Sequence, residues 1–397
     1  MKIAIFAWNF PPTQDPQAFR LFEFSRFLVL RGNDVTIFAF NPGELPTREI
    51  WAGLEINRPL TLEVAEFSKL LASMDWLKES EEFMKVFSYD HAIASKFIEM
   101  VEKEGFSYDV ATIYDWQNAG AGLIIKKTFP KMPLVFHINS IEENSAIAEH
   151  LKRKFADVSD MIVTVSQLMR NWLVALGYPS EKLHVVYEGC NHEIYDPSKI
   201  ESEKVDALRR LYGIQSDENV ILYMGKLERN KKIDKLIHAL PLVCSEFPNT
   251  KLVIVGKGEI YSGLVSLASR LNITERVIIR NGWLYTEEKL SHYGLATICI
   301  FPSFLGSFEN AMLEAMAMKI PIIASWHFNE IIEQGSNQCG LLINGGNPID
   351  IAKGIKEVFA NKERARKWGE NGRRKVLERF TLENTLQAIT HLYSKLQ

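Results

Sequence analysis

Two segments place basic and small polar residues where a strand hands over to a helix. In the first, Gly225 follows the apolar run 220–224. Lys226, Arg229, Lys231 and Lys232 then fill a loop, and helical spacing begins with Ile233, Leu236, Ile237, Leu240 and Val243. Lysines beside a helix N-terminus make a charged cradle for a diphosphate, although a solvated basic turn has the same composition. In the second segment, the strand pattern 296–301 turns through Pro302, Ser303, Gly306 and Ser307 into a helical pattern over residues 308–318. A Gly and a Ser at a helix start present free backbone N–H groups. Glu314 lies on that helix beside Ala311, Ala315 and Ala317. An acid on an otherwise apolar helix needs a partner, either a basic neighbour or a ligand.

Other signals are weaker. Gly256-Lys257-Gly258, after the strand pattern 252–255, is a phosphate-type turn or simply a tight strand-to-helix turn. In the first half a long loop, residues 10–20, closes the first strand and carries Gln17 and Arg20. Arg20 suits an anionic group, or is an ordinary surface arginine. His137 and Asn139 are two apart in the strand pattern 134–140 and so share a face. A lone strand histidine is also commonly a core residue.

The elements that must position these groups follow one grammar used twice. The apolar run 2–7, the helical pattern 18–30 and the strand pattern 35–40 make a βαβ unit, and the same order restarts at Asn219. We therefore expect two parallel-sheet α/β domains in tandem, joined through the charged stretch 191–218 with a boundary near residue 200. A last helix, residues 381–396, suits packing on either. Open parallel sheets bind ligands beyond the carboxyl ends of their strands, so two facing sheets would share one cleft suited to joining two substrates.

Bulk properties agree. A chain of 397 residues, 47% hydrophobic and 24% charged, suits two globular cores. The net charge of −3, with no long block of one sign, argues against a nucleic-acid partner. Cys190, Cys244, Cys299 and Cys339 are too scattered for a zinc cluster or a disulfide framework, which fits a reducing, cytoplasmic compartment. Asn9 and Pro11-Pro12 interrupt the apolar N-terminus before an export signal is complete, so we read a buried strand. Residues 67–87 have amphipathic spacing, which suits domain packing or contact with a membrane or lipid-linked acceptor.

Taken in order, these segments resemble the retaining glycosyltransferases of GT-B fold that include glycogen synthases and sucrose synthases, the glycosyltransferases group 1. Residues 302–321 look like the family's proline-serine loop and glutamate-bearing helix. Residues 225–231 look like its glycine-arginine to lysine segment, with Lys226 for the usual arginine. Tyr114-Asp115-Trp116-Gln117 resembles the aspartate-tryptophan segment of glycogen-synthase-like members.

The resemblance implies two Rossmann-like domains facing each other across a cleft. Residues 1–200 would form the acceptor side, residues 201–380 would bind the nucleotide sugar, and residues 381–397 would be a helix able to pack back on the first domain. It implies hexose transfer, with glucose as the first expectation, from a nucleoside-diphosphate sugar to a sugar, glycan or lipid-linked acceptor, with no metal and no other cofactor. Lys226 and Lys231 would meet the diphosphate. Glu314 would meet the donor ribose, and His137 would position the sugar. Gly225, Gly256, Ser303, Gly306, Ser307, Phe308 and Glu309 would line the donor site, and Gly282, Trp283 and Leu284 would meet the base. Gln17, Arg20, Asp115, Trp116 and Asn139 would serve the acceptor or phosphate side.

Two departures matter. Gln17-Ala18 stand where paired glycines are usual, and Gly306 stands eight residues before Glu314, where the family commonly has a second glutamate. Glu309 is the nearest acid, three positions displaced. A sugar-nucleotide epimerase and a non-catalytic nucleotide-sugar binder are the alternative readings.

Overall fold

The computed structural model describes residues 1–13, 15–61, 81–139, 146–303, 309–332 and 335–396; the side chains of residues 16, 81–84, 146 and 147 are outside that description. Most of the amphipathic stretch 67–87 therefore lies outside the described residues. The chain divides into two units, Met1–Tyr187 with Thr385–Gln397, and Glu188–Asn384.

In the first unit the strands are β1 (Lys2–Ala7), β2 (Asp34–Ala39), β3 (Arg48–Trp51), β4 (Leu54–Asn57), β5 (Val110–Tyr114), β6 (Leu134–Ile138), β7 (Met161–Thr164) and β8 (Leu183–Val185). They form one sheet in the order β3-β4-β2-β1-β5-β6-β7-β8. The pairings are parallel except for the β3–β4 hairpin at one edge. The central strands read as unbroken apolar runs because a parallel sheet is covered on both faces. Ala4, Phe6, Phe38, Ile113 and Phe136 pack on one side with Phe97, Ile125 and Phe155. Ile3, Ile5, Val35, Ile37 and Val135 pack on the other with Phe24 and Leu28. That second face also takes Leu386, Ile389, Leu392 and Tyr393 from the last helix, Leu382–Ser394.

The second unit contains β9 (Asn219–Met224), β10 (Thr250–Gly256), β11 (Val277–Asn281), β12 (Ile298–Phe301), β13 (Ile322–Ser325) and β14 (Gly340–Ile343). Its order is β11-β10-β9-β12-β13-β14, and the pairings are parallel. Ile221, Tyr223, Leu252, Ile254, Ile298 and Ile300 pack against Leu236, Ile237 and Leu240 of helix Ile233–Cys244.

Strand order reverses direction between β9 and β12, and in the first unit between β1 and β5. At such a switch point the connections leave to opposite sides and open a crevice at the carboxyl ends of the two strands. The loops after β9 and β12 are the two strongest segments of the sequence. The segments that follow β1 and β5 hold Gln17 and Arg20, on the first turns of helix Pro16–Leu30 rather than in the expected loop, and Asp115 and Trp116.

Candidate active site

The loop after β9 lies directly on the loop after β10. Gly225 donates its N–H to Val255 at 3.0 Å, Leu227 donates to Lys257 at 3.0 Å, and the Tyr223 hydroxyl donates to the Lys226 carbonyl at 2.8 Å. A Cβ on Gly256 would stand 1.8 Å from the Gly225 carbonyl oxygen, and one on Gly258 would stand 2.2 Å from that of Leu227. These glycines are thus demanded by two backbones in contact. Gly282, which donates its N–H to Gly256 at 2.9 Å, has φ of 132°, a value that favours glycine. Trp283 and Leu284 follow it, both half-buried.

A 3-10 turn, Arg229–Lys231, carries Lys231 inward before helix Ile233–Cys244 starts. Lys231 is only 6% exposed, and its Nζ donates to Glu309 Oε1 at 2.7 Å; Glu309 is 7% exposed. Two charges taken out of water persist only when paired in this way. Glu309, displaced in sequence from the expected acid position, is thus brought onto the lysine of the basic loop. It immediately precedes helix Asn310–Ala317.

His327 lies in the turn Trp326–Phe328 that follows β13, the strand paired with β12. Burial pulls its pKa down to about 4, with Glu309 acting to raise it and Lys231 to lower it. The imidazole is therefore neutral, and among the described residues its Nε2 has no hydrogen-bond partner. Ser303 Oγ, Ser325 Oγ, Asn230 Oδ1 and Asn310 Oδ1 are likewise buried and unpartnered. Phe301 and Ala324 are register neighbours, so Ser303 and Ser325 follow adjacent strand ends. A Cβ on Gly345 would meet both the Pro302 carbonyl oxygen and Ser325 Oγ, at 2.1 and 2.2 Å.

Glu314 has its own partners. Lys289 Nζ donates to its two carboxylate oxygens at 3.0 and 3.2 Å, and the Tyr293 hydroxyl donates to Oε2 at 2.7 Å. Burial and the adjacent carboxylate push the Tyr293 pKa well up, which keeps that phenol a donor. Lys289 also reaches the Tyr195 hydroxyl at 3.3 Å. The basic neighbour considered for Glu314 is therefore Lys289. Gly306, Ser307 and Phe308 lie outside the described residues.

In the first unit, Asp15 caps helix Pro16–Leu30 by accepting the N–H groups of Gln17 and Ala18 at 2.8 and 3.2 Å. Gln17 is exposed and Arg20 half-buried on the first turns. The buried Arg58 guanidinium fixes the preceding loop by donating to the Pro11 carbonyl at 2.7 Å. Asp115 follows β5 with φ 58° and ψ 176°, a conformation that an L-residue adopts only under strain. Its N–H donates to the His137 carbonyl at 3.0 Å, and its carboxylate accepts from the Asn139 N–H at 3.4 Å. Trp116 packs into the core.

His137 itself is 3% exposed, stacked on Tyr114 with centroids 4.2 Å apart, and its Nε2 pairs with the Tyr393 hydroxyl at 3.0 Å. Burial pulls its pKa down to about 3. The sequence singled out this ring as a sugar-positioning group; the structure holds it in the core face covered by the last helix.

Sequence reasoning did not single out His327, Lys289 or Tyr293. The last two sit four apart on helix Thr286–Leu295, a spacing that puts them on one face. His327 stands just beyond a strand's carboxyl end, the place where a polar residue after an apolar run calls for attention. Among the described residues, no group of three or more His, Cys, Asp or Glu is gathered as a metal ion requires, and no helix is long and apolar enough to cross a membrane.

Two parallel-sheet α/β units, with buried charge and unpartnered polar atoms at a switch point, define a nucleotide-binding α/β architecture, and known structures specify it further. Sucrose-phosphate synthase from Thermosynechococcus elongatus matches with a TM-score of 0.81 at 19% identity, covering 100% of this chain and 98% of that one. Anabaena Alr3699/HepE, solved in complex with UDP and glucose, matches with a TM-score of 0.78 at 17% identity over 100% of both chains. The fold is GT-B.

Glycosyltransferase Family 4 matches residues 17–194, and Glycosyl transferases group 1 matches residues 204–375. An uncharacterised glycosyltransferase of Methanocaldococcus jannaschii, MJ1607, is 26% identical over 412 aligned residues, covering 99% of this chain and 98% of that protein. The chain belongs to the group 1 glycosyltransferases.

Proposed function

We propose that this glycosyltransferase is a retaining, metal-independent hexosyltransferase that moves glucose from a nucleoside diphosphate to a sugar, glycan or lipid-linked acceptor in the cytoplasm. The observation that carries the reading is the buried Lys231, in the loop after β9 at the switch point of the second sheet, paired there with Glu309 from the segment after β12. The Anabaena neighbour solved with UDP and glucose supports uridine diphosphate glucose as the first donor to try.

Cleavage at the anomeric carbon builds negative charge on the departing diphosphate, which Lys226, Lys231 and nearby helix N-termini stabilise. Attack on the same face retains configuration. The acceptor oxygen bonds to the anomeric carbon as the bond to phosphate breaks, and the acceptor's proton passes to the leaving phosphate oxygen. No protein nucleophile is required, which agrees with a glycine at position 306. Lys289 and Tyr293 hold Glu314 for the donor ribose. Asp115, Trp116, Asn139, Gln17 and Arg20 serve the acceptor side, and His137 acts beneath them by fixing Tyr114 and Asp115.

A thermal-shift screen of nucleotide sugars, followed by mass spectrometry with the best donor and mixed acceptors, tests this. The expected result is release of nucleoside diphosphate with one hexose added to an acceptor. A donor whose sugar is interconverted without any acceptor product would indicate an epimerase. Binding without release across a broad acceptor panel would indicate a non-catalytic binder.

A further inference from the structure

We propose that Glu309 and His327 form the contact surface for the transferred sugar and supply the recognition that a glutamate at position 306 would otherwise give. This rests on the donor reading above and deepens it. Asn230 and Asn310 present amide oxygens, which only accept hydrogen bonds, and Ser303, Ser325 and His327 present two hydroxyls and one imidazole nitrogen. A phosphate carries no hydrogen to give those amide oxygens, whereas the hydroxyls of a neutral sugar do. Leaving such atoms unmet in a buried place is costly, and Ser303, Ser325 and His327, at or just past the adjacent carboxyl ends of β12 and β13, suit a ligand that donates.

Charge points the same way. Glu309 sits on Lys231 at 2.7 Å, so a diphosphate approaching that lysine meets a carboxylate as well. A carboxylate repels a phosphate and accepts readily from sugar hydroxyls. The Glu309 side of this ion pair therefore suits the sugar better than the diphosphate. His327 follows β13, the strand paired with the β12 that leads to Glu309, and presents a buried imidazole nitrogen able to donate or accept.

The test compares free and sugar-linked nucleotides on the full chain. Calorimetry measures the affinities of UDP, ADP and GDP and of their glucose and mannose conjugates for the wild type, for His327→Phe and for Glu309→Gln. His327→Phe keeps a ring beside Phe328 and removes the nitrogen. Its affinity for the preferred sugar conjugate should fall about tenfold, the loss of one good hydrogen bond, while free nucleoside diphosphate stays within about twofold. Glu309→Gln should move the two ligands in opposite directions, weakening the conjugate and strengthening the free diphosphate. Retained diphosphate binding shows that each variant is folded. An equal loss of both ligands, or no change in either, overturns the proposal and leaves the donor reading standing. A wild type that binds none of the panel overturns the donor reading itself, and this proposal with it.

Discussion

Lys231 and Glu309, 78 residues apart in sequence, meet at 2.7 Å with both side chains nearly closed to solvent. Breaking such a pair by deleting one partner strands the other charge and costs roughly 3–5 kcal/mol, whereas replacing both with apolar residues of similar size is close to neutral. Lys231→Ala should therefore lose that much in urea denaturation, and Lys231→Met combined with Glu309→Leu should recover most of it. Turnover behaves differently. Both variants lack the charge proposed for the leaving diphosphate and should lose on the order of a hundredfold in rate. If Lys231→Ala turned over normally, the role given to this lysine would be wrong.

The strands, the helices and the loops between them were legible because they are local. The apolar runs 2–7 and 220–224 and the periodic residues 233–243 announce their own conformation. The observed bounds, such as Pro16–Leu30 against the expected 18–30, differ where Asp15 and Pro16 start the helix earlier than its apolar pattern does. What periodicity does not encode is which distant side chain completes a buried charge. Glu309 looked like a displaced acid until strand order set the loop after β12 beside the loop after β9. Glu314 announced its need for a partner, but Lys289 and Tyr293 come from helix Thr286–Leu295 through tertiary packing alone. Gly256 read as a phosphate-type glycine, and the contact that demands it is a backbone carbonyl on the neighbouring loop.

That contact gives a second prediction. In Gly256→Ala the new methyl would fall 1.8 Å from the Gly225 carbonyl oxygen, a backbone atom that cannot swing aside. The variant should lose about 3 kcal/mol of stability and, because the loop carrying Lys226 must shift, bind nucleotide more weakly. Gly263→Ala is the matched control. It lies in helix Tyr261–Arg270 with open space around its Cβ, so stability should hold or rise by about 0.5–1 kcal/mol. Equal behaviour of the two variants in thermal unfolding would count against the close approach.

Acid sensitivity follows from two buried histidines. Their folded pKa values, about 3 for His137 and about 4 for His327, lie below the ordinary value of 6.5. Between those limits the unfolded chain binds protons that the folded chain refuses, so stability rises with pH and is lost as pH falls from about 6.5. From pH 7.5 to pH 5 each histidine should cost about 2 kcal/mol, taking roughly 1.4 kcal/mol per pKa unit. His137→Gln, which keeps a polar group for Tyr393, should remove about that much of the difference between denaturation curves at the two pH values. An unchanged acid slope would show that the ring is protonated in the folded state.

Asp115 offers the sharpest separation of stability from function. Its φ of 58° and ψ of 176° suit glycine and cost another residue about 1–3 kcal/mol. Asp115→Gly relieves that strain, loses the bond from the Asn139 N–H and adds unfolded-state freedom, for a net gain of about 1 kcal/mol. Asp115→Asn keeps the strain and a similar shape but gives up the charge. If the strain is retained to present a carboxylate to the acceptor, Asp115→Gly should melt higher than the wild type while its acceptor KM rises about tenfold. Asp115→Asn should raise the same KM without the gain in melting temperature. Donor affinity, measured in the absence of acceptor, should stay constant in both. Wild-type acceptor KM in Asp115→Gly would mean that the residue serves the fold alone.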